Sequence, residues 1–414
     1  MQILWLKSDL LVPLDKGGRL RTWHLLRHLA ERHAITYLAF AERDQTSAAC
    51  AAMREVAAEV ITVPREDPPK GSWRFYADAA RHVIDPLPYA VGKYRSADYA
   101  ARLRELLETH AFDLVVCDFL PPVVNLPAAL PCPGVLFTHN VESEIWRRHA
   151  ETRAGQLSGA LYRQQYRRML AFERQALARF DGALAVSDAD RETFGRLYPG
   201  AARGPIDVIP TGVDTGFFTP SSATSASSDH SIVFTGSMDW LPNEDAMQFF
   251  CADVLRRIQS AVPDAVLSIV GRAPTPAVQR LAQMHGVRVT GRVDDVRQYL
   301  HDAAVFVVPL RIGGGTRLKI FEAMAAGKAV VSTTVGAEGL DVTPDEHLLI
   351  ADAAPAFADA VVQLLRNSDR RRLLGEAARA LVLAKYDWAA VAGRLEDALV
   401  RVARSTTTTT KSAA

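Results

Sequence analysis

The sequence is poor in cysteine, close to electroneutral, and without a long apolar run. Its four cysteines, Cys50, Cys117, Cys132 and Cys251, are scattered without paired spacing. That pattern supports neither a zinc site nor a disulfide framework, and it fits a reducing cytosol. A formal net charge of +1 over 414 residues argues against general nucleic-acid binding. No run of about eighteen apolar residues occurs, so no transmembrane helix is expected. Met1-Gln-Ile-Leu-Trp-Leu6 reads as a first strand, too short for the apolar core of a signal peptide. A cytoplasmic location is therefore expected.

What is present is apolar residue in quantity. With 49% hydrophobic residues, the chain can bury two ordinary cores. Strand, loop and helix patterns alternate in both halves, which predicts an α/β protein with two doubly wound parallel-sheet domains facing a cleft. A Ser- and Ala-rich stretch, residues 219–230, reads as the linker. The expected limits are 1–215 for an N-terminal domain and 216–385 for a C-terminal ligand-binding domain. A helix at 386–404 is expected to cross back, and 405–414 to form a disordered tail.

The most informative stretch is Arg311-Ile-Gly-Gly-Gly-Thr-Arg-Leu-Lys-Ile-Phe-Glu322 and its continuation to Ser332. An apolar strand pattern leads into three glycines, then a helix from about Thr316 to Ala326, which Gly327 can end in a left-handed cap. Helix N-termini offer unpaired N–H groups, and glycines let an anion approach them. Arg317 and Lys319 stand in the first turn, where they oppose the helix dipole unless something negative sits there. Either the loop seats a diphosphate or it is a sharp turn with solvated cations. Glu322 can accept hydrogen bonds from two adjacent hydroxyls, as on a ribose, or pair with Lys319 at i,i+3 spacing.

Other loops stand at predicted strand ends. Gly17-Gly18 follows the first strand but lacks the third glycine of a dinucleotide fingerprint. His139 ends the Gly134–Thr138 strand; it serves a site there or bonds a neighbouring loop. Gly236-Ser237, Gly271 and Gly291-Arg292-Val293 close strands of the second half. Residues 143–180 are helical and arginine-rich. They form a solvated helix surface or meet anionic lipid head groups; the first is favoured because the apolar face is thin.

The chain resembles a GT-B glycosyltransferase of the family-4-like retaining group. Val208-Ile-Pro-Thr-Gly-Val-Asp-Thr-Gly-Phe-Phe218 is similar to that family's interdomain segment, and Phe321-Glu-Ala-Met-Ala-Ala-Gly-Lys-Ala-Val-Val-Ser332 to the second half of its E-x7-E motif. Gly17-Gly18 and Thr138-His139 match its N-domain loop and histidine. The wording Gly-Gly-Gly-Thr-Arg-Leu-Lys319 and Val335-Gly-Ala-Glu-Gly-Leu340 looks like a subgroup tied to exopolysaccharide assembly. The resemblance implies that Glu322 binds the donor ribose and that His139 contacts the donor sugar. It implies that amides of Gly314, Gly315 and Thr316 meet the sugar or diphosphate, and that backbone near Arg292 and Val293 meets the base. Gly17, Gly18, Gly236, Ser237, Gly271 and Arg311 complete the expected donor site.

Two departures stand out. Gly314 occupies the place of the first motif glutamate, and the loop after the second half's first strand carries neither of the family's two cations. Arg317 and Lys319, with Arg311, are expected to supply that charge from the other loop, acting with His139 as the catalytic groups. No Asp-x-Asp stands in a loop fit to hold a metal, and no cofactor is expected beyond the nucleotide-diphosphate sugar. The expected partners are that donor and a glycan or lipid-linked acceptor, with no nucleic acid; peripheral contact with an anionic inner membrane face stays open. The alternatives are a GT-B sugar-nucleotide epimerase and a non-catalytic sugar-nucleotide-binding protein.

Overall fold

Ile3-Leu-Trp-Leu6 and Val305-Phe-Val-Val308 have no polar face, and both become central strands whose side chains are shut off from water. Such strands suit a parallel sheet covered by helices on both sides. The structure, a computed structural model, describes residues 1–14, 17–42, 46–66, 71–73, 85–152, 157–221, 230–312 and 318–411. The chain separates into two units, Met1–Pro210 together with the chain from Val391 onward, and Thr211–Ala390.

The first unit holds strands β1 (Gln2–Leu6), β2 (Ala34–Ala41), β3 (Glu59–Pro64), β4 (Leu114–Asp118), β5 (Gly134–Phe137), β6 (Gly182–Ala185) and β7 (Ile206–Val208). They form one parallel sheet in the order β3-β2-β1-β4-β5-β6-β7. The second unit holds β8 (Ser231–Thr235), β9 (Val266–Val270), β10 (Val287–Gly291), β11 (Val305–Val308), β12 (Ala329–Ser332) and β13 (Leu349–Ile350). Their order, β10-β9-β8-β11-β12-β13, is parallel throughout. In each sheet the winding direction reverses once, between β1 and β4 and between β8 and β11. A crevice opens at such a reversal, at the carboxyl ends of the strands.

The chain passes between units at Pro210/Thr211 and at Ala390/Val391, against the expected 215/216 and 385/386. The offset has a local cause within the second unit. Val213 N–H donates to the Tyr386 carbonyl at 2.8 Å, and Thr215 Oγ1 donates to Asp387 Oδ2 at 2.5 Å. The Trp388 ring comes within 2.5 Å of where a Cβ on Gly212 would stand. The stretch from Thr211 is thereby tied to residues 386–388.

The last helix, Trp388–Lys411, buries Leu395, Ala398, Leu399 and Val402 in the first unit. Glu396 pairs with Arg32 and, at 2.9 Å, with His33; Arg401 meets Asp207 at 2.8 Å. The helix runs through Lys411, where the sequence suggested a disordered tail from 405; extending an established helix costs little even for threonine. Residues 412–414, and 222–229 of the expected linker, lie outside the described residues.

Glycine at 182 is a packing requirement, because a Cβ there would meet Val402 Cγ2 at 2.7 Å. The β-branched valine has little freedom to yield. Gly182→Ala should therefore destabilise the protein by about 1–3 kcal/mol in urea unfolding. Adding Val402→Ala should recover part of that loss; a double variant weaker than the sum of the two singles would contradict this packing.

Candidate functional site

Lys7 follows β1 directly, Asp118 ends β4, and those two strands are neighbours at the first unit's reversal. The two charges form a buried pair, with Lys7 Nζ 2.7 Å from Asp118 Oδ2 and neither side chain more than 2% exposed. A buried charge needs a full set of partners. The same oxygen accepts from Trp5 Nε1 at 3.0 Å and from Thr22 Oγ1 at 2.7 Å. Lys7 also donates to Thr22 Oγ1 at 3.0 Å. Thr22 is brought in by the Gly17–Leu29 helix, which begins at the glycine pair of the sequence motif.

His139 lies just beyond β5, with Nε2 2.7 Å from Asp118 Oδ1. The contact is in ionic range but out of line for a linear hydrogen bond. The imidazole stacks on Phe119 with ring centroids 3.9 Å apart. Phe119 has φ +78°, a left-handed conformation that costs a non-glycine residue energy and turns the ring onto the histidine. A Cβ on Gly18 would stand 3.5 Å from the Phe119 ring and 3.8 Å from His139 Nδ1, so the glycine leaves that face uncovered. Arg21 is also buried, its guanidinium 4.8 Å from the Phe137 ring centroid and donating to the Ile209 carbonyl.

Burial alone would raise the Asp118 carboxyl, but Lys7 and His139 outweigh it and hold the group far below the usual carboxylate range. Burial pushes His139 down to about 4 against the pull of Asp118, with Lys7 and Arg21 adding to the fall. Burial lowers Arg21 to about 9, with Asp118 and Asp190 opposing. Asp118 is thus ionised and His139 neutral near pH 7.

In the second unit, β8 and β9 meet through bare backbone. Gly271 has φ +153°, and a Cβ on it would fall 1.7 Å from the Gly236 carbonyl oxygen. Gly236 in turn leaves room for two side chains, since its Cβ would stand 2.7 Å from both Asn243 Nδ2 and Lys319 Nζ. Lys319 projects from the Leu318–Ala325 helix after β11. Its amine donates to Asn243 Oδ1 at 2.9 Å and lies 4.1 Å from the Phe234 ring centroid. Asn243 Nδ2 holds the Ser237 carbonyl at 2.8 Å, and Ser237 Oγ accepts from Arg272 Nε at 3.0 Å. A lysine of the helix after β11 therefore lies at the loop after β8, across this sheet's reversal.

Glu322 sits on the same helix, three residues after Lys319. No described residue hydrogen-bonds or ion-pairs with its carboxylate. Burial raises its pKa, with Lys319 opposing. Arg311 pairs with Asp245, Nη2 to Oδ1 at 2.5 Å, and lies 4.7 Å from the Phe249 ring centroid. Its charge is therefore already answered. The Gly291 carbonyl accepts from Gly271 N–H at 3.2 Å; Arg292 is exposed and Val293 packs on the core. Gly327, φ +72°, adopts the left-handed conformation expected of the helix end.

The structure thus gathers Gly18 and His139 in one unit, and Gly236, Ser237, Gly271 and Lys319 in the other. Gly17 only starts its helix, with nothing within 4 Å of a Cβ on it. Gly314, Gly315, Thr316 and Arg317 lie outside the described residues. Lys7, Asp118, Thr22, Arg21 and Asn243 escaped the sequence reading. The available signal was a charged residue directly after each of two apolar runs. Among the described residues no three His, Cys, Asp or Glu side chains gather as a metal site.

Two doubly wound parallel-sheet units, each with polar groups collected at its reversal, define the GT-B class of fold. Residues 16–217 match the family described as Glycosyltransferase Family 4, and residues 229–367 that described as Glycosyl transferases group 1. The chain belongs to the family-4-like GT-B glycosyltransferases. It is 29% identical over 258 residues to the GDP-mannose-dependent alpha-(1-6)-phosphatidylinositol monomannoside mannosyltransferase of Mycobacterium tuberculosis (strain CDC 1551 / Oshkosh), covering 56% of this chain. The match spans 66% of that protein's length, just under two thirds. It is also 28% identical over 291 residues to alpha-maltose-1-phosphate synthase of Mycolicibacterium smegmatis, covering 63% of this chain and 70% of that one. Among solved structures, sucrose-phosphate synthase from Thermosynechococcus elongatus aligns with TM-score 0.65 at 17% identity, covering 96% of this chain and 98% of that one. Anabaena HepE in complex with UDP aligns with TM-score 0.63 at 14% identity, covering 97% and 100%. At these identities the structural likeness concerns the fold.

The neutral, buried His139 has a consequence for stability. Its folded pKa, about 4, lies below the ordinary value near 6.5, so between those values the unfolded chain binds more protons. Stability from this group is fully present above pH 6.5 and is lost as pH falls toward 4, by roughly 3 kcal/mol in all. Urea unfolding of wild type and His139→Gln at pH 7.5 and 5 should therefore show a steeper acid loss in the wild type. Parallel pH dependences would contradict a neutral His139.

Proposed function

We propose that the chain transfers a sugar from a nucleotide-diphosphate donor to a hydroxyl acceptor, with retention of anomeric configuration and without a metal. One observation carries this reading: Lys319 delivers its amine to the Gly236 loop, where the sequence departs from its family by lacking a cation. There it balances the charge that grows on the leaving diphosphate. Arg311, paired with Asp245, does not share this role. Glu322, desolvated and without a described partner, accepts from the ribose hydroxyls. His139 meets the donor sugar.

In this reading the bond from the anomeric carbon to the diphosphate oxygen breaks while the acceptor oxygen bonds to that carbon from the same face. The acceptor's proton passes to the departing diphosphate. No side chain is needed as a covalent nucleophile. The donor class is a GDP- or UDP-linked sugar, in keeping with a relative named as GDP-mannose-dependent and a neighbour solved with UDP. The acceptor is a glycan or glycolipid of exopolysaccharide or other cell-surface assembly, reached from the cytoplasmic side. Exposed Arg163, Arg167 and Arg174 on the Leu157–Leu177 helix then face anionic head groups. No helix among the described residues is long and apolar enough to cross a membrane.

A thermal-shift comparison of GDP-mannose and UDP-glucose should identify the base, since a bound donor raises the melting temperature by mass action. With the donor that binds, Lys319→Met should lower kcat by about 100-fold, at least as much as it raises donor KM. Glu322→Gln should act mainly on donor KM, by about tenfold. A Lys319→Met enzyme with unchanged turnover and affinity would refute the assignment.

A further inference from the structure

We infer that the Lys7–Asp118 pair fixes His139 as a neutral imidazole carrying its proton on Nε2, so that Nδ1 presents only a lone pair to the donor. Asp118 and Lys7 are positioning residues, and His139 is a hydrogen-bond acceptor. The inference builds on the assignment of His139 to the donor sugar made above.

The geometry leaves few choices. A nitrogen lone pair 2.7 Å from a carboxylate oxygen is repelled by it, whereas an N–H at that distance is attracted even out of line. Asp118 is ionised and its other oxygen is filled by Lys7, Thr22 and Trp5, so the proton belongs to His139 Nε2. A second proton on the ring would make an imidazolium in a buried site. Two cations oppose it, Lys7 beside β1 and Arg21 on the Gly17–Leu29 helix, while Asp118 on β4 is the one acid that favours it. Phe119 and Phe137, with ring centroids 3.9 and 4.8 Å from that of the imidazole, offer it no counter-charge. Lys7 already balances the Asp118 charge, so the histidine stays neutral.

Nδ1 hydrogen-bonds to no described residue. Gly18 stands on that side, and a Cβ on it would lie 3.8 Å from Nδ1. The group that meets Nδ1 must therefore donate: a sugar hydroxyl fits, and a carboxylate or carbonyl does not. His139 held this way cannot act as a general acid near neutral pH. It orients the sugar ring while the diphosphate takes the proton.

Nitrogen NMR of protein labelled at histidine tests this without substrate, the His139 signal being the one lost in His139→Gln. The wild type should show the Nε2–H tautomer and titrate near pH 4. Lys7→Met should raise that midpoint by about one pH unit or more, because the charge opposing protonation is gone. If Lys7→Met is too unstable to measure, Lys7→Met with Asp118→Asn removes both buried charges and should lose the fixed Nε2–H tautomer. A wild-type proton on Nδ1, a midpoint near 6.5, or no change in these variants would overturn the inference. Loss of transfer in His139→Gln bears on the donor assignment alone, so the two claims fail separately.

Discussion

A carboxylate denied water must find hydrogen-bond donors within the protein, and Asp118 is such a group. Its donors come from stretches far apart in the chain, Trp5 on β1, Lys7 just after it and Thr22 on the following helix, and His139 just beyond β5 adds a close ionic-range contact. Each is held by its own strand or helix, so these partners reach the carboxylate only when the sheet is correctly assembled at its reversal. The same constraint that makes the charge tolerable also places the histidine. Position and protonation state of His139 are two results of one buried pair.

The second unit reaches a comparable end by different means. Among the described residues, no charged side chain there is as fully shut off from water. Close approach of backbone does the placing: Gly271 lets the Gly236 carbonyl in, and Gly236 admits Asn243 and Lys319. A side chain at Gly236 would meet the lysine, and one at Gly271 would meet the Gly236 backbone. The loop after β8 has no lysine or arginine of its own, and the cation beside it, Lys319, comes from the helix after β11. Parallel winding makes those two segments neighbours.

Much of the fold was legible because the central strands are uninterrupted apolar runs and the loops between them carry glycine. The helix after β11 and its Gly327 cap were readable in the same way, as was Lys319 as an unusual cation at a helix start. The Lys7–Asp118 pair was not. A lysine or aspartate at a strand end looks like an ordinary solvated loop charge. Only the sheet order places β4 beside β1, and sequence separation hides that. Asn243 was equally silent, since its role depends on Gly236 having no side chain. The helix beyond residue 405 differed because composition describes a threonine run in isolation, whereas here it continues a helix already nucleated.

Gly182 and Val402 join two distant points of synthesis. A ribosome finishes all of Thr211–Ala390 before it makes the helical turn that carries Val402. Until then the first unit waits with its final helix absent, and the apolar seat for Leu395, Leu399 and Val402 is open to solvent. The unit that begins the chain is thus the later one to be completed. Its nascent form exposes apolar surface that the finished helix covers, the kind of surface through which partly made chains aggregate.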